Sequence, residues 1–325
     1  MIQFILKRAA QGLLILLGVN LLTFMLFFGV NTTDDMARLN LGGKRVTPQA
    51  IEQWKAARGY DLPLLWNSQA SGAAQATQTL FAQKSMALFA FEFGSSDTGR
   101  DIANDIAQRA GPSLMLAVPS FVIGMLAAIA CALGLLLLRH TRLDAWGVVV
   151  LVVAMSISSM FFIIGGQWLF SKVLSLLPVS GYADGAGAWR FLLMPLVIGV
   201  VAGLGGSARS YRAYFLEELG KDYVRTALAK GVSDWQVLRR HVLPNAMIPI
   251  LTGAVAVIPH LFIGSLVMES FFGIPGLGNY VMEAINGQDF AVVRVMVFIG
   301  AALTVLGYAL TDVAYAVADP RVRLE

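Results

Sequence analysis

EELGKDYVRTALAKGVSDWQVLRRHVLPNAMIP, residues Glu217–Pro249, is a polar and strongly basic interruption between two apolar runs. Apolar residues at Leu219, Tyr223, Thr226/Ala227 and Leu228 recur at helical spacing, while Lys221, Asp222, Arg225 and Lys230 occupy much of the other face. Gly231 permits the left-handed conformation that ends a helix and starts a turn. Ser233 with Gln236 three residues on has the pattern of a capping box for a second helix. Val237, Leu238 and Val242 supply its apolar side, and Pro244 is expected to halt it. The expected structure is a helix–Gly–helix hairpin along a membrane surface. It points to a membrane subunit moved by a partner rather than to an enzyme.

The 325 residues are 57% hydrophobic and 14% charged, with a mean hydropathy of +0.69. Soluble domains carry about 25% charged residues, so this composition belongs in lipid. Six apolar runs agree: Ala9–Val30, Ala110–Leu138, Ala145–Ser171, Phe191–Ala208, Val242–Met268 and Val295–Thr311. A helix crosses the hydrocarbon core with roughly 20 residues, because its backbone groups must be bonded within the segment. The last run is the shortest and is expected to extend back past Arg294, whose side chain would snorkel to the interface. Lys7 and Arg8 precede the first run as in a signal peptide, but that run is longer than a signal's apolar core and no small-residue cleavage site follows. An uncleaved first helix is expected. Cys131 is the single cysteine, which excludes an intramolecular disulfide and a cysteine-based metal site.

Lysine and arginine place the loops. Lys7 and Arg8, Arg139 and Arg142, the basic residues of 209–240, and Arg321 and Arg323 all fall on one side if six spans leave both termini in the cytoplasm. The opposite short loops hold only Lys172, Arg190 and Arg294. The long outer segment, Asn31 to Arg109, carries too many large apolar residues for a linker, among them Trp54, Tyr60, Trp66 and Phe81. Within it, Thr47 as N-cap and Pro48 at the first position open a helix to Arg58, and Ala70–Gln78 has a flexible composition. A small folded cap is expected there. Gly199, Gly203, Gly205 and Gly206 would let helices approach closely, and Pro119, Pro195, Pro249 and Pro259 allow kinks.

The chain carries no convincing catalytic constellation. It has no GxxxxGK[ST] phosphate loop, and GLGGSARS (Gly203–Ser210) lacks the lysine that would reach phosphates. His140 and His241 fall at the cytoplasmic surface and His260 in the fifth run, where lone histidines are usually structural; no spacing favours pairing His260 with Ser207 or Ser265. Glu269 and Asp312 end helices where water or a partner could satisfy them, which gives a proton-coupled carrier little support. Ser156, Ser159, Met160, Phe161 and Gln167 form a polar–aromatic stripe in the third run, with pathway lining and ordinary packing both open.

With those residues in view, the whole chain resembles a permease subunit of an ABC importer of the dipeptide/oligopeptide/nickel family, most like the B-type subunits of dipeptide and oligopeptide permeases. That family's coupling motif reads EAA, three residues, Gly, nine residues, Ile, any residue, Leu, Pro. Here Arg225, Thr226 and Ala227 stand at its first positions, then Gly231, then His241, Val242, Leu243 and Pro244. Arg, Thr and His replace Glu, Ala and Ile, but DYVRTALAKG followed by LRRHVLPNAMIP resembles the peptide branch's own version almost throughout. RGYDLP (Arg58–Pro63), FEFGSS (Phe91–Ser96), LPVSG (Leu177–Gly181), FFGIPGLG (Phe271–Gly278) and DVAYAVADPRVR (Asp312–Arg323) agree as well. NTTDDMA (Asn31–Ala37) departs from the PGDP-type turn common among relatives.

The resemblance implies an all-α membrane protein with the type I ABC importer permease fold. It would have six transmembrane helices, an extracytoplasmic cap between helices 1 and 2, and a cytoplasmic coupling hairpin between helices 4 and 5. The implied boundaries are 1–30 for the tail and first helix, 31–109 for the cap, 110–317 for the core with its coupling segment 217–249, and 318–325 for a cytoplasmic tail. The hairpin would dock on a separate ATP-binding subunit through Asp222, Arg225, Thr226, Ala227, Ala229, Lys230, Gly231, His241, Pro244 and Asn245. Implied partners are a homologous second permease, two ATP-binding subunits, an extracytoplasmic substrate-binding protein and the lipid bilayer, with no nucleic acid. ATP and Mg would sit on the partner ATPases and no cofactor on this chain. The implied function is import of short peptides across a bacterial cytoplasmic (inner) membrane by alternating access. A nickel or other small-solute permease, or an ATP-independent secondary carrier, is the alternative.

Overall fold

In the computed structural model residues 2–42 and 46–318 are described; the expected cytoplasmic tail and Arg321 and Arg323 lie outside them. Fourteen α-helices occur among the described residues, and no strand. They are α1 (Ile2–Val30), α2 (Thr33–Asn40), α3 (Pro48–Arg58), α4 (Ala74–Thr77), α5 (Ile102–Leu137), α6 (Arg142–Ser156), α7 (Ser159–Gln167), α8 (Ala188–Leu219), α9 (Asp222–Ala229), α10 (Asp234–Val237), α11 (Leu243–Val257), α12 (Leu266–Phe272), α13 (Leu277–Asn286) and α14 (Phe290–Ala318).

Five helical stretches are long and apolar enough to cross a bilayer: Leu6–Val30, Ile102–Leu137, Ala188–Leu219, Asp234–Phe262 and Phe290–Val313. The third apolar run is not one straight span. It divides into Arg142–Ser156 and Ser159–Val173, bent by 92°, and makes a sixth crossing only if the pair is one broken span. Ile157 is extended there, and the Ser158 hydroxyl accepts from the Met160 amide to start α7, so a serine cap restarts the helix in a new direction. Large apolar side chains face outward along these helices, Leu14, Leu22, Trp146 and Val150 each more than 60% exposed. Such a surface fits lipid and would be an aggregation patch in water. The chain is a multi-pass membrane protein.

The chain forms two compact units, one from the first 110 residues with Tyr280–Ala309, the other from Gly111–Asn279 with the last helix from Leu310 on. In the first, Phe24 and Phe28 of α1 pack with Met36, Ile51, Trp54, Tyr60 and Leu80. The expected cap helix is α3: the Thr47 hydroxyl accepts from the Ala50 amide, Pro48 opens it, and left-handed Gly59 closes it. The segment read as flexible contains the short α4. NTTDDMA begins α2 through a capping box between Thr32 and Asp35.

Arg294 corrects the snorkelling expectation. Its helix does extend back to Phe290, yet the side chain is buried, donates to the Lys84 carbonyl at 3.0 Å and stacks over Phe28. Around it lies a buried polar cluster. The Tyr60 hydroxyl donates to Asp97 Oδ1 at 2.9 Å, and the Asp97 amide donates to Asp289 Oδ1 at 3.0 Å. The Ala291 and Val292 amides, at the start of α14, donate to Asp97 and Asp289. Two carboxylates therefore satisfy orphan amides at one helix N-terminus, where the dipole favours negative charge.

Burial, and then the neighbouring Asp289 charge, raise Asp97 above the usual carboxylate range. The folded state thus holds this proton at higher pH than the unfolded chain does. Its stabilising contribution is complete below the ordinary value of 3.8 and is lost as pH rises through the raised folded value. Tyr60, Asp289, Lys84, Arg58 and Arg294 are the charged or titratable groups around it. Thermal unfolding in detergent from pH 4 to 7 should therefore show wild type losing stability relative to Asp97→Asn as pH rises. A pH-independent difference between the two would contradict this.

In the second unit α6 packs along α8. A Cβ at Gly205 would come within 2.7 Å of the Leu151 carbonyl oxygen and 3.0 Å of the Met155 amide nitrogen, so backbone contact is what this glycine provides. Arg212 of α8 binds both oxygens of Asp144 in α6, at 2.8 and 2.7 Å.

Candidate functional site

The hairpin at the end of α8 is built from side chains the sequence patterned for it. α9 runs Asp222–Ala229, and Gly231 follows at φ +80°. The Gly231 amide donates to the Leu228 carbonyl at 2.9 Å and the Val232 amide to the Ala227 carbonyl at 3.3 Å. This pair of bonds is the Schellman closure, which needs a left-handed residue at the glycine's place. The Ser233–Gln236 capping box does not form: Ser233 sits at the cap of α10 with no side-chain bond to the helix. Pro244 does not halt the second helix either. α10 continues through a π-helical turn, Leu238–Val242, into α11, with Pro244 in α11's first turn. The wider turn accommodates a residue that lacks the N–H for an ordinary helical bond.

Val224 and Ala227 of α9 and Val237, Leu238 and Val242 beyond the turn are buried with Leu136 of α5 and Phe215 of α8. This apolar seam fixes the hairpin to its own unit, and Ala227 belongs to it. The other residues expected to dock divide by exposure. Asp222, Arg225, Thr226, Ala229, Lys230, Gly231, Pro244 and Asn245 are exposed, and His241 is half-buried. Arg225 lies 3.7 Å from Asp222, and the Asn245 side chain donates to the His241 carbonyl. The Tyr223 hydroxyl donates to Glu218, and burial together with that carboxylate pushes its pKa up to about 12, so the phenol stays neutral. Trp235, 53% exposed on α10, is the residue sequence reading missed. An exposed tryptophan amid basic residues is a recognisable anchor for a partner, but it stood outside the motif.

The polar–aromatic stripe falls at the break between α6 and α7. Ser156, Ser159, Met160 and Phe161 are exposed there, Phe161 by 72%. The Ser156 hydroxyl bonds back to the Val152 carbonyl, and Gln167, at the far end of α7, donates to the Val179 and Phe271 carbonyls. The stripe is not brought together with the hairpin residues by any of these bonds.

Glu269 is a second centre, and its surroundings overturn the expectation of a water-satisfied helix end. It is fully buried. Its Oε1 accepts from the Ser113 hydroxyl at 2.8 Å and the Ser265 amide at 3.1 Å, and its Oε2 from the Asn279 amide at 3.1 Å. The Ser113 hydroxyl oxygen also accepts from the Leu277 amide at 2.7 Å. A Cβ on Gly264 or Gly276 would collide with this carboxylate, so both glycines permit its enclosure. The segment FFGIPGLG, read from sequence as part of a re-entrant outer loop (Phe271–Phe290) that receives substrate, wraps the buried Glu269 carboxylate at the start of α13.

Residues 120–324 match the family described as binding-protein-dependent transport system inner membrane component, and residues 1–84 match its N-terminal companion. A Brucella abortus protein named for a peptide transport system permease is 31% identical over 331 residues, covering 100% of both chains. The dipeptide transport system permease protein DppB of Lactococcus lactis is 29% identical over 100% of both, and the glutathione transport system permease protein GsiC of Salmonella typhimurium 29% over 99% of both. With more than half its length inside the family match and full-length similarity besides, the chain belongs to the family of binding-protein-dependent transport system inner membrane components, as a transport permease subunit rather than an enzyme.

Proposed function

We propose that this chain is one permease subunit of an ATP-driven importer that carries short peptides inward by alternating access. The observation that carries the reading is the exposed α9–Gly231–α10 hairpin, seamed to α5 and α8 by apolar contacts while its charged face stays open. A rigid hairpin with an open polar face suits a separate ATPase. Asp222, Arg225, Thr226, Ala229, Lys230 and Gly231 would meet a groove on that ATPase, with His241, Pro244 and Asn245 behind them and Ala227 holding the hairpin from within. ATP and Mg would be bound by two such partner subunits, whose closure biases the helices between two states. A homologous permease would complete the pore, and a substrate-binding protein would deliver peptide to the 31–109 cap. The core would be 110–317, in a bacterial inner membrane with both termini cytoplasmic and six spans, the bent α6–α7 pair counting as one. The names of the relatives favour peptides over nickel or other small solutes, and the open hairpin argues against a carrier that works without ATPases.

Purification from the native membrane in mild detergent, with mass spectrometry of the accompanying chains, tests this. Two ATP-binding proteins, a second permease and a peptide-loaded binding protein are expected. A self-associated complex free of ATPase that still transports solute in vesicles would overturn the reading.

A further inference from the structure

A cavity of about 310 Å³ lies in the second unit, lined by α5, α8 and the chain between α11 and α12. Its volume falls at the lower end of small-molecule sites, which begin near about 300 Å³. Three local features open it. Pro195 and Gly199, one turn apart on α8, present a face without bulky side chains. α11 ends at Val257, and the chain passes through a tight 3₁₀ turn, Ile258–Phe262, containing Pro259. Gly264 then turns it at φ +75° before α12 starts. Non-helical backbone next to a membrane span is tolerated where it is buried in protein or lines a watery cavity, and here it borders one.

The chemistry of the walls is mixed in a particular way. Leu116, Phe121, Pro195 and Met268 supply apolar surface. His260 and Ser265, both exposed, supply polar groups beside the broken helix. Glu269 reaches the lining, but each group hydrogen-bonded to it is a neutral hydroxyl or amide of its own unit, so its acceptor capacity is committed. Apolar lining with a few hydrogen-bonding groups in it is how a site takes an apolar side chain and orients the amide backbone that carries it.

We propose that this cavity is a station on the import path, where an apolar side chain of a short peptide seats against Leu116, Phe121 and Met268 while His260, Ser265 and the unwound backbone hydrogen-bond the peptide's amide groups. The assignment rests on the peptide-import reading above. It makes this chain, and not only the delivery protein, a determinant of which peptides pass.

The test compares uptake of Phe-Ala and Ala-Ala by the complete reconstituted complex, with this chain wild type, Ala117→Phe or Leu261→Ala. Both positions line the cavity. The delivery protein is the same in each case, so its own preference cancels in the ratio. Filling the cavity with Ala117→Phe should lower the Phe-Ala to Ala-Ala uptake ratio at least about tenfold, and Leu261→Ala should raise it, as pocket size discriminates side chains. An unchanged ratio in both variants, with Ala-Ala still imported, would overturn this proposal alone. If Ala117→Phe imports neither dipeptide, an unchanged ratio in Leu261→Ala is sufficient to overturn it. A wild-type complex that imports neither dipeptide would overturn the peptide reading and this assignment together.

Discussion

Gly231→Val should reduce peptide uptake and peptide-stimulated ATP hydrolysis by the assembled complex at least about tenfold while leaving the chain folded. The reason is backbone geometry. No neighbour lies within 4 Å of a Cβ placed at Gly231, so crowding inside this chain costs nothing. The φ of +80° is the obstacle, because a β-branched residue there is a steric outlier. Holding such a residue in that region costs roughly 1–3 kcal/mol, and each 1.4 kcal/mol is about tenfold in population. Relaxing φ would break the bonds from Gly231 and Val232 to the Leu228 and Ala227 carbonyls and swing α9 relative to α10. The seam of Val224, Ala227, Val237 and Leu238 still anchors the hairpin's base, so gel filtration should show an intact chain. Gly231→Asn is the control, since asparagine enters the left-handed region more readily; it should keep most of the activity. Wild-type uptake by the valine variant would mean that the turn's geometry does not transmit the ATPase's motion.

That turn was legible because its signal is local: a glycine follows an amphipathic stretch, and one left-handed residue satisfies two orphan carbonyls. Thr47 and Pro48 were legible for the same reason, as were the long helices, whose apolar length is a property of consecutive residues. The errors share the opposite character. Ile157–Ser158 carries no proline or glycine, so the 92° bend had only a serine cap to announce it. Pro244 reads as a stop by its own chemistry, and only the π turn before it lets the helix continue. Ser233 and Gln236 have a capping-box spacing, but the serine side chain makes no bond to the helix it precedes. Arg294 looked like an interfacial charge because Tyr60, Lys84 and Asp97, which surround it, are some 200 residues earlier in the chain. The cavity is hidden for the same reason: Leu116, Gly199 and His260 share no periodicity. Sequence patterning reports the helix faces; the polar centres depend on which helices meet.

Glu269 is the clearest such centre, and its replacement by leucine should cost most of the folded protein. The carboxylate accepts from Ser113, Ser265 and Asn279, and the Gly278 amide adds to these. Leucine has a similar bulk but no acceptor, so these buried and partly buried donors lose their partner. Each buried donor left unpaired costs about 1–3 kcal/mol, so losing the partner of several at once adds up. Against a total stability of about 5–15 kcal/mol for a typical domain, that is a large share. Glu269→Gln keeps the shape and one carbonyl acceptor, but its amide nitrogen would face donors, so it should be intermediate. The geometry limits how the site can adapt. Gly264 and Gly276 close directly on the carboxylate, and Gly278 approaches the Ser265 and Leu266 backbone, so the loop has little room to bring in a substitute acceptor. The measurement is the yield of monodisperse chain on gel filtration in mild detergent, followed by thermal unfolding of what is recovered. The expected order is wild type, then glutamine, then leucine, with leucine mostly aggregated. Equal yield and melting temperature for the leucine variant would show that the donors find other partners. The wrapped anion would then be incidental to the fold, and FFGIPGLG would owe its shape to its glycines alone.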